Sequence, residues 1–380
     1  MSKTILFVSS NNTWGGSEIL WSETAAFLAQ KGYPIYFAVK YQNAIIQSLI
    51  SKGVNYINLN NNTTTSSIVQ RVLRRIKVKE QPKEVFLQNI LELKPQLIVI
   101  SQGNNVDGSY YMTICRQLGV PYVTITQLVT NILWVYLNDT KINELRESYE
   151  QAVTNYFVSR ANIELHNLMI GDVLPNSKIA HNPFTVPEDI SFAYPAVQSG
   201  IYKIALVGRL ETFHKGHDIL LEVLNQQKWR DRPIVFSFYG AGPHQLLLER
   251  LVKRYNIQNI VFQGHVTEVA NIWKTNHLLI LPSRMEGQSL ALIEAMWCYR
   301  GAVVTDVGGA KELLTEGETG FIANTATFTD LDFTLEKAWQ ARDRWEMMGQ
   351  NAGIEIRELY KEQPIESFSK ELIKIVTASN

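Results

Sequence analysis

Short apolar runs alternate along this chain with longer segments whose apolar residues recur at helical spacing. Ile5–Ser9, Ile35–Val39, Leu97–Ser101, Tyr122–Thr126, Tyr156–Ser159 and Ile179–Ala180 read as strands. Ser17–Lys31 reads as a helix with Ile19, Leu20, Ala26, Phe27 and Leu28 inward, and Ala44–Lys52 and Ser109–Leu118 read as two more. Regular alternation of this kind predicts a parallel sheet with right-handed crossovers. The pattern restarts at Lys203–Gly208. Ile234–Tyr239, Ile260–Phe262, Leu278–Leu281 and Ala302–Thr305 follow as strands, with helices between them. From Asn182 to Gly200 the periodicity is lost and Pro183, Pro187 and Pro195 intervene, which marks a linker.

At 380 residues the chain is long enough for two domains of ordinary size. It carries only Cys115 and Cys298, so a disulfide framework is excluded and a reducing compartment is expected. The first apolar run, Thr4–Ser10, is too short for a secretory signal. No run approaches the roughly 20 apolar residues that span a bilayer. A cytoplasmic protein, or one at the inner face of a membrane, is expected. The net charge of zero hides an asymmetry. Residues 1–182 hold 16 Lys+Arg and 12 Asp+Glu, against 20 and 24 in residues 183–380. That is a small excess, open to chance or to two halves with different partners. No basic groove interleaved with aromatics supports nucleic-acid binding.

The candidate chemistry concentrates in residues 283–312, SRMEGQSLALIEAMWCYRGAVVTDVGGAKE. The apolar run 277–282 reads as a buried strand entering a loop with Glu286 and Gly287. Ser289 is a candidate N-cap for a helix with Leu290, Ile293, Glu294, Met296 and Trp297. Such a loop lies at the carboxyl end of a parallel strand and the amino end of a helix. Free N–H groups and the helix dipole favour an anion there. A carboxylate on the loop suits sugar hydroxyls, and one early in the helix suits a ribose. Two Glu eight apart are weak evidence alone and equally describe a solvated helix face.

The whole segment closely resembles the E-x7-E region of glycosyltransferase family 4, retaining enzymes that use nucleotide sugars. Pro282, Ser283, Glu286, Gly287, Glu294, Ala295, Met296, Val303, Asp306, Gly308, Gly309 and Glu312 fill the family's places. Gly317, Thr319, Gly320 and Phe321 match its next turn. The resemblance implies a GT-B architecture: two Rossmann-like domains facing across a cleft, with the last helix returning to the first domain. The expected division is an acceptor-side domain over 1–182, a linker over 183–202, a nucleotide-sugar domain over 203–360 and a crossing helix in 361–380. Ile365–Val376 is the candidate for that helix.

Further positions follow from the resemblance. Gly208-Arg209-Leu210 and Lys215-Gly216 match the family's G-R-L…K-G, where the two cations stabilise the diphosphate. Alone, each is equally a surface cation. His214 and His217, beside Lys215, read as supporting or surface residues. Gly240-Ala241-Gly242-Pro243 resembles a turn under the nucleotide, or is a plain tight turn. His265 and Val266 after Gly264 resemble the segment whose backbone meets the base. Gly287, Gln288, Ser289 and Leu290 would face the donor, and Glu294 would hold its ribose. In the first domain, Trp14-Gly15-Gly16-Ser17-Glu18 resembles the family's glycine loop, where Gly15 and Gly16 let donor and acceptor approach. Trp14 either stacks on an acceptor or staples the loop. Gln127 stands where many relatives carry a His. The catalytic set expected is Glu286, Arg209, Lys215 and Gln127. No metal ligand set and no cofactor is implied, the nucleotide sugar being the donor substrate.

The activity implied is hexosyl transfer to a glycan, lipid-linked or small-molecule acceptor, in polysaccharide or glycoconjugate synthesis. The alternatives are a GT-B sugar-nucleotide epimerase and an inactive relative that still binds nucleotide sugars. One feature points to a membrane. Ser67–Lys79 reads as an amphipathic helix with Arg71, Arg74, Arg75 and Lys77 largely opposite an apolar stripe. It either packs on the sheet or lies on an anionic membrane, together with the apolar segment Ile132–Tyr136.

Overall fold

A computed structural model describes residues 3–60, 81–187, 189–190 and 192–378. The segment Ser67–Lys79 lies outside the described residues. The chain divides into two compact units: Met1–Pro183 with Glu362–Asn380, and Phe184–Lys361.

The first unit is built on β1 (Ile5–Ser9), β2 (Ile35–Val39), β3 (Asn55–Asn58), β4 (Leu97–Asn104), β5 (Tyr122–Leu128), β6 (Thr154–Phe157) and β7 (Ser177–Ile179). These pair in parallel in the order β3-β2-β1-β4-β5-β6-β7. The central strands are buried on both faces. Leu6 and Val8 pack with Ile98, Ile100 and Met112 on one side, and Ile5 and Phe7 with Leu20 and Trp21 on the other. That is why these strands read as unbroken apolar runs rather than alternating ones. Each such side chain contributes about 1.5–3 kcal/mol on burial.

The second unit repeats the plan with β8 (Tyr202–Val207), β9 (Ile234–Tyr239), β10 (Ile260–Gly264), β11 (Leu278–Leu281), β12 (Gly301–Thr305) and β13 (Gly320–Ala323). Their parallel order is β10-β9-β8-β11-β12-β13. In each sheet the order reverses once, between β1 and β4 and between β8 and β11. Parallel sheets bind ligands outside the carboxyl ends of strands at such a reversal.

The last helix, Pro364–Ala378, belongs to the first unit. Phe368, Leu372 and Val376 lie four apart on one face and enter the core beside Leu20 and Trp21. Phe368 meets Tyr156 edge-on at 5.0 Å, and Lys178 pairs with Glu371 at 2.5 Å.

Four details differ from the sequence reading. β3 and β13 are additional strands. β3 is an edge strand with Asn at both ends, so it lacks an apolar run. β13 begins at the glycine of what reads as a turn. In the helix Ile19–Gln30, Ile19 and Phe27 are only half-buried, while Trp21 and Ala25 are buried. From Phe184 onward the expected linker packs on the second unit, with the Phe184 ring 4.6 Å from Trp297 and 5.3 Å from Tyr360. Arg300 also donates to Ala193 O at 3.3 Å.

Among the described residues no helix is long and apolar enough to cross a membrane. Asn131–Tyr136 forms a 3-10 turn that leaves Val135 and Tyr136 exposed, while Trp134 Nε1 donates to Met169 O at 3.3 Å.

Candidate active site

In the second unit, β8 and β11 stand side by side, with Leu278 and Leu279 in register with Ile204 and Ala205. The loops that leave their carboxyl ends carry Arg209 and Lys215, and Glu286. The first loop is short because Leu210 is buried and Glu211 caps a one-turn helix, Thr212–Lys215. The Glu211 carboxylate accepts from Phe213 N at 2.7 Å, His214 N at 3.0 Å and His214 Nδ1 at 2.7 Å. Burial works against its charge, but the His214 side chain and those two N–H groups outweigh it and hold the carboxyl below its usual range.

Lys215 Nζ donates to Glu286 Oε1 at 2.6 Å, and Ser283 Oγ to the same oxygen at 2.8 Å. Residues 71 positions apart are thus brought into one cluster. Two glycines make this approach possible. Gly216 has φ +63°, and a Cβ there would lie 1.9 Å from Pro282 O. Gly308 has φ +54°, and its Cβ would lie 2.2 Å from Glu286 O. Any other residue would force the loops apart. The Arg209 side chain is 61% exposed and only loosely paired with Glu211, at 3.9 Å. Its fork is available to a ligand.

Behind Glu286 begins the helix Leu290–Trp297, seated on the sheet by Leu292, Ile293 and Met296. Ser289 occupies the N-cap position, but its hydroxyl makes no cap bond. The first-turn N–H groups therefore have no side-chain cap and are open to an anion. A small recess lined by Ser283, Glu286, Ser289, Val304 and Thr305 adjoins them. Gly287 O accepts from Gly309 N at 2.8 Å, and Gln288 Oε1 from Tyr360 OH at 3.2 Å. Leu290 is half-buried. Glu294 is buried in this helix. Its Oε1 accepts from Thr185 Oγ1 at 2.9 Å and Thr185 N at 3.5 Å. Burial pushes its carboxyl up, and the Thr185 bonds oppose this without cancelling it.

Gly208 N bonds Tyr239 O at 3.0 Å, and Leu210 N bonds Ala241 O at 3.1 Å, so the loops after β8 and β9 run together. A Cβ at Gly242 would lie 2.4 Å from Leu210 O across the same seam. His265 is exposed and Val266 half-buried just after β10. His217, which reads as supporting or surface, is fully buried against Phe238 at 5.9 Å, and burial lowers its pKa to about 4.

In the first unit the loop after β1 holds Gly15 and Gly16, both exposed. It is anchored by Glu18, which is fully buried. Its carboxylate accepts from Asn11 Nδ2 at 2.6 Å, Tyr41 OH at 2.7 Å and Trp21 Nε1 at 3.0 Å. Trp14 lies edge-on to Trp21 at 6.4 Å and Tyr41 at 6.3 Å. Of the two readings of Trp14, this packing fits the staple. Gln127 in β5 is buried, and its amide pairs reciprocally with Asn182 at 3.0 and 2.6 Å.

Several contacts here are not legible in the sequence. Thr185, which holds Glu294, sits in the apparent linker. Asn182, which holds Gln127, borders it. Glu211 and Ser283 lie inside matched motifs, but only the fold shows what they touch. Among the described residues no group of three His, Cys, Asp or Glu could hold a metal ion.

Residues 202–336 match the model of the glycosyl transferases group 1 family. The chain is 24% identical over 383 residues to N-acetyl-alpha-D-glucosaminyl L-malate synthase of Bacillus anthracis, covering 93% of this chain and 92% of that protein. It is 27% identical over 139 residues to the uncharacterized glycosyltransferase MJ1178 of Methanocaldococcus jannaschii, covering 36% of this chain and 38% of that protein. Among solved structures, Anabaena Alr3699/HepE in complex with UDP-glucose superposes with a TM-score of 0.75 at 15% identity, over 99% of each chain. Fold and matched segment together define a glycosyltransferase of the GT-B class. The matched segment lies within the second unit.

Proposed function

We propose that this enzyme is a retaining family 4 glycosyltransferase that moves a sugar from a nucleoside-diphosphate sugar to a glycan, lipid-linked or small-molecule acceptor. The setting proposed is polysaccharide or glycoconjugate synthesis. The observation that carries the reading is the Lys215–Glu286 pair at 2.6 Å, placed at the sheet reversal beside an uncapped helix N-terminus. A diphosphate fits there. Arg209 and Lys215 supply cations, and the first turn of Leu290–Trp297 supplies N–H donors. Glu286 accepts hydroxyls of the donor sugar, and Glu294 accepts those of the ribose. Gly15 and Gly16 let the diphosphate and the acceptor approach.

The anomeric carbon breaks its bond to the departing phosphate oxygen while the acceptor oxygen bonds on the same face. The acceptor proton passes to that phosphate oxygen. Gln127 fits this route. It is a neutral amide with both ends engaged by Asn182, so it orients rather than carries a proton.

A panel of nucleotide sugars tests the reading. One member should raise the melting temperature and be slowly hydrolysed, and a panel without any such member would overturn it. NMR of the first-formed product should show retained anomeric configuration, and chelator should leave the rate unchanged. Inversion refutes the first expectation. Loss in chelator with rescue by a divalent cation refutes the second. Lys215→Ala should weaken nucleoside diphosphate binding about 10- to 100-fold and leave nucleoside binding alone, since a charge-assisted bond is worth about 1.5–3 kcal/mol. Calorimetry showing equal diphosphate affinity removes Lys215 from the site.

A further inference from the structure

Arg284 lies two positions before Glu286 on the loop after β11, and Asp218 lies three positions after Lys215. Arg284 grips the Asp218 carboxylate with both arms of its fork, Nη1 to Oδ1 at 2.8 Å and Nη2 to Oδ2 at 2.7 Å. Nη1 also donates to Thr212 O at 2.8 Å. The backbone closes the same seam. Arg284 N and Met285 N both donate to His214 O, at 2.7 and 3.2 Å. His214 is the neighbour of Lys215 and Met285 the neighbour of Glu286. Every contact in this set therefore fixes the distance between the loop that carries the cation and the loop that carries the carboxylate.

We propose that Arg284 and Asp218 form a clamp whose task is to set the placement of Lys215 and Glu286. Both are positioning residues, and Arg284 is not a further phosphate ligand. Its fork is already committed to Asp218 and Thr212. The clamp also differs from an ordinary stabilising pair. Its side chains are 35% and 38% exposed, where solvent screening leaves an ion pair little net stabilisation. Its geometry is nonetheless bidentate, which fixes direction as well as distance. The pair thus ties the two loops to each other in direction and distance. Misplacing a reacting group by about 1 Å can cost about 100-fold in rate.

This inference rests on the reading of Lys215 and Glu286 as donor-handling groups, so the test carries both. Full-length Arg284→Ala, Asp218→Ala, the double variant and the swap Arg284→Asp with Asp218→Arg are compared with Lys215→Ala. The reaction is donor hydrolysis or transfer, and melting temperature is followed in parallel. Each single variant should lose about 10- to 100-fold in kcat/KM. The double variant should lose no more than either single one, and the swap should recover part of the loss. Melting temperatures should move by only a few degrees. Loss in Arg284→Ala without loss in Asp218→Ala makes Arg284 a direct ligand and overturns the clamp. So do additive losses, or activity losses that follow the melting temperature. Full activity in both single variants, with Lys215→Ala impaired, overturns the clamp and leaves the donor-site reading standing. Full activity in Lys215→Ala overturns both.

Discussion

Replacing Glu286 with glutamine is expected to stop sugar transfer and, at the same time, to tighten nucleoside diphosphate binding about tenfold. The Lys215 ammonium sits 2.6 Å from Glu286 Oε1, and Ser283 supports the same oxygen at 2.8 Å. The carboxylate is the counter-ion of the lysine that a diphosphate needs. A nucleoside diphosphate must draw Lys215 from this partner and then sit near a like charge. At about 6 Å and an effective dielectric between water and protein surface, that repulsion is about 1–2 kcal/mol. About 1.4 kcal/mol corresponds to tenfold in affinity. Glutamine keeps the shape and removes the charge, so the lysine is freed. Glutamine also accepts sugar hydroxyls more weakly than a carboxylate, so the transition state loses support and turnover falls. An intact donor offsets the displaced pair because the hydroxyls of its transferable sugar satisfy Glu286, whereas the product diphosphate has lost that sugar. Under the proposed function, the same residue therefore favours donor binding and product release. Calorimetry with the nucleoside diphosphate of the best donor decides the matter. Unchanged or weaker diphosphate binding in Glu286→Gln would remove the counter-ion role.

Much of this site is legible in the sequence, because it is built from local units. Leu278–Leu281, the Glu286 loop and the helix from Leu290 follow one another without a break, and apolar spacing defines each. Gly216 and Gly308 are legible for the same reason. Gly216 ends the one-turn helix Thr212–Lys215 and Gly308 lies in the turn after β12, and a Cβ at either would meet a backbone oxygen at 1.9 or 2.2 Å. What is not legible is whatever depends on two distant segments meeting. The Lys215–Glu286 pair joins positions 71 apart, and the Arg284–Asp218 clamp joins positions 66 apart. Thr185 has no periodic context at all. It sits among prolines, and only the packing of Phe184 on Trp297 and Tyr360 brings it to Glu294. Glu18 shows the converse. Its place in the glycine loop is plain in the sequence. Its complete burial under Asn11, Trp21 and Tyr41, two of them aromatic donors, is a product of the fold.

Glu294→Gln is expected to make the protein more stable at pH 7, no more stable at pH 4, and a poorer binder of nucleotide at pH 7. Glu294 is 6% exposed, and its described partners are the Thr185 hydroxyl and N–H, with no cation among them. Burial raises its pKa, with the Thr185 bonds opposing. The sign follows from linkage. The folded carboxyl holds its proton more tightly than the unfolded one. The resulting stability is complete below the ordinary glutamate range of about 4.3 and is lost as pH rises through the folded value. At neutral pH the wild type therefore carries the cost of a buried, weakly compensated charge. A glutamine has no charge to bury, so the cost vanishes and the melting temperature rises by a few degrees. At low pH both side chains are neutral and the difference closes. The charge is nevertheless what a ribose diol requires, because two hydroxyls donate more strongly to a carboxylate than to an amide oxygen. Losing it should weaken nucleoside and nucleoside diphosphate binding alike, by about 1.5–3 kcal/mol, or about 10- to 100-fold. This distinguishes Glu294 from Lys215, whose loss spares the nucleoside. Melting curves at pH 4 and pH 7, with calorimetry on the same preparations, give both readings. A stability gain equal at the two pH values contradicts the buried charge, and unchanged nucleoside affinity contradicts the ribose contact.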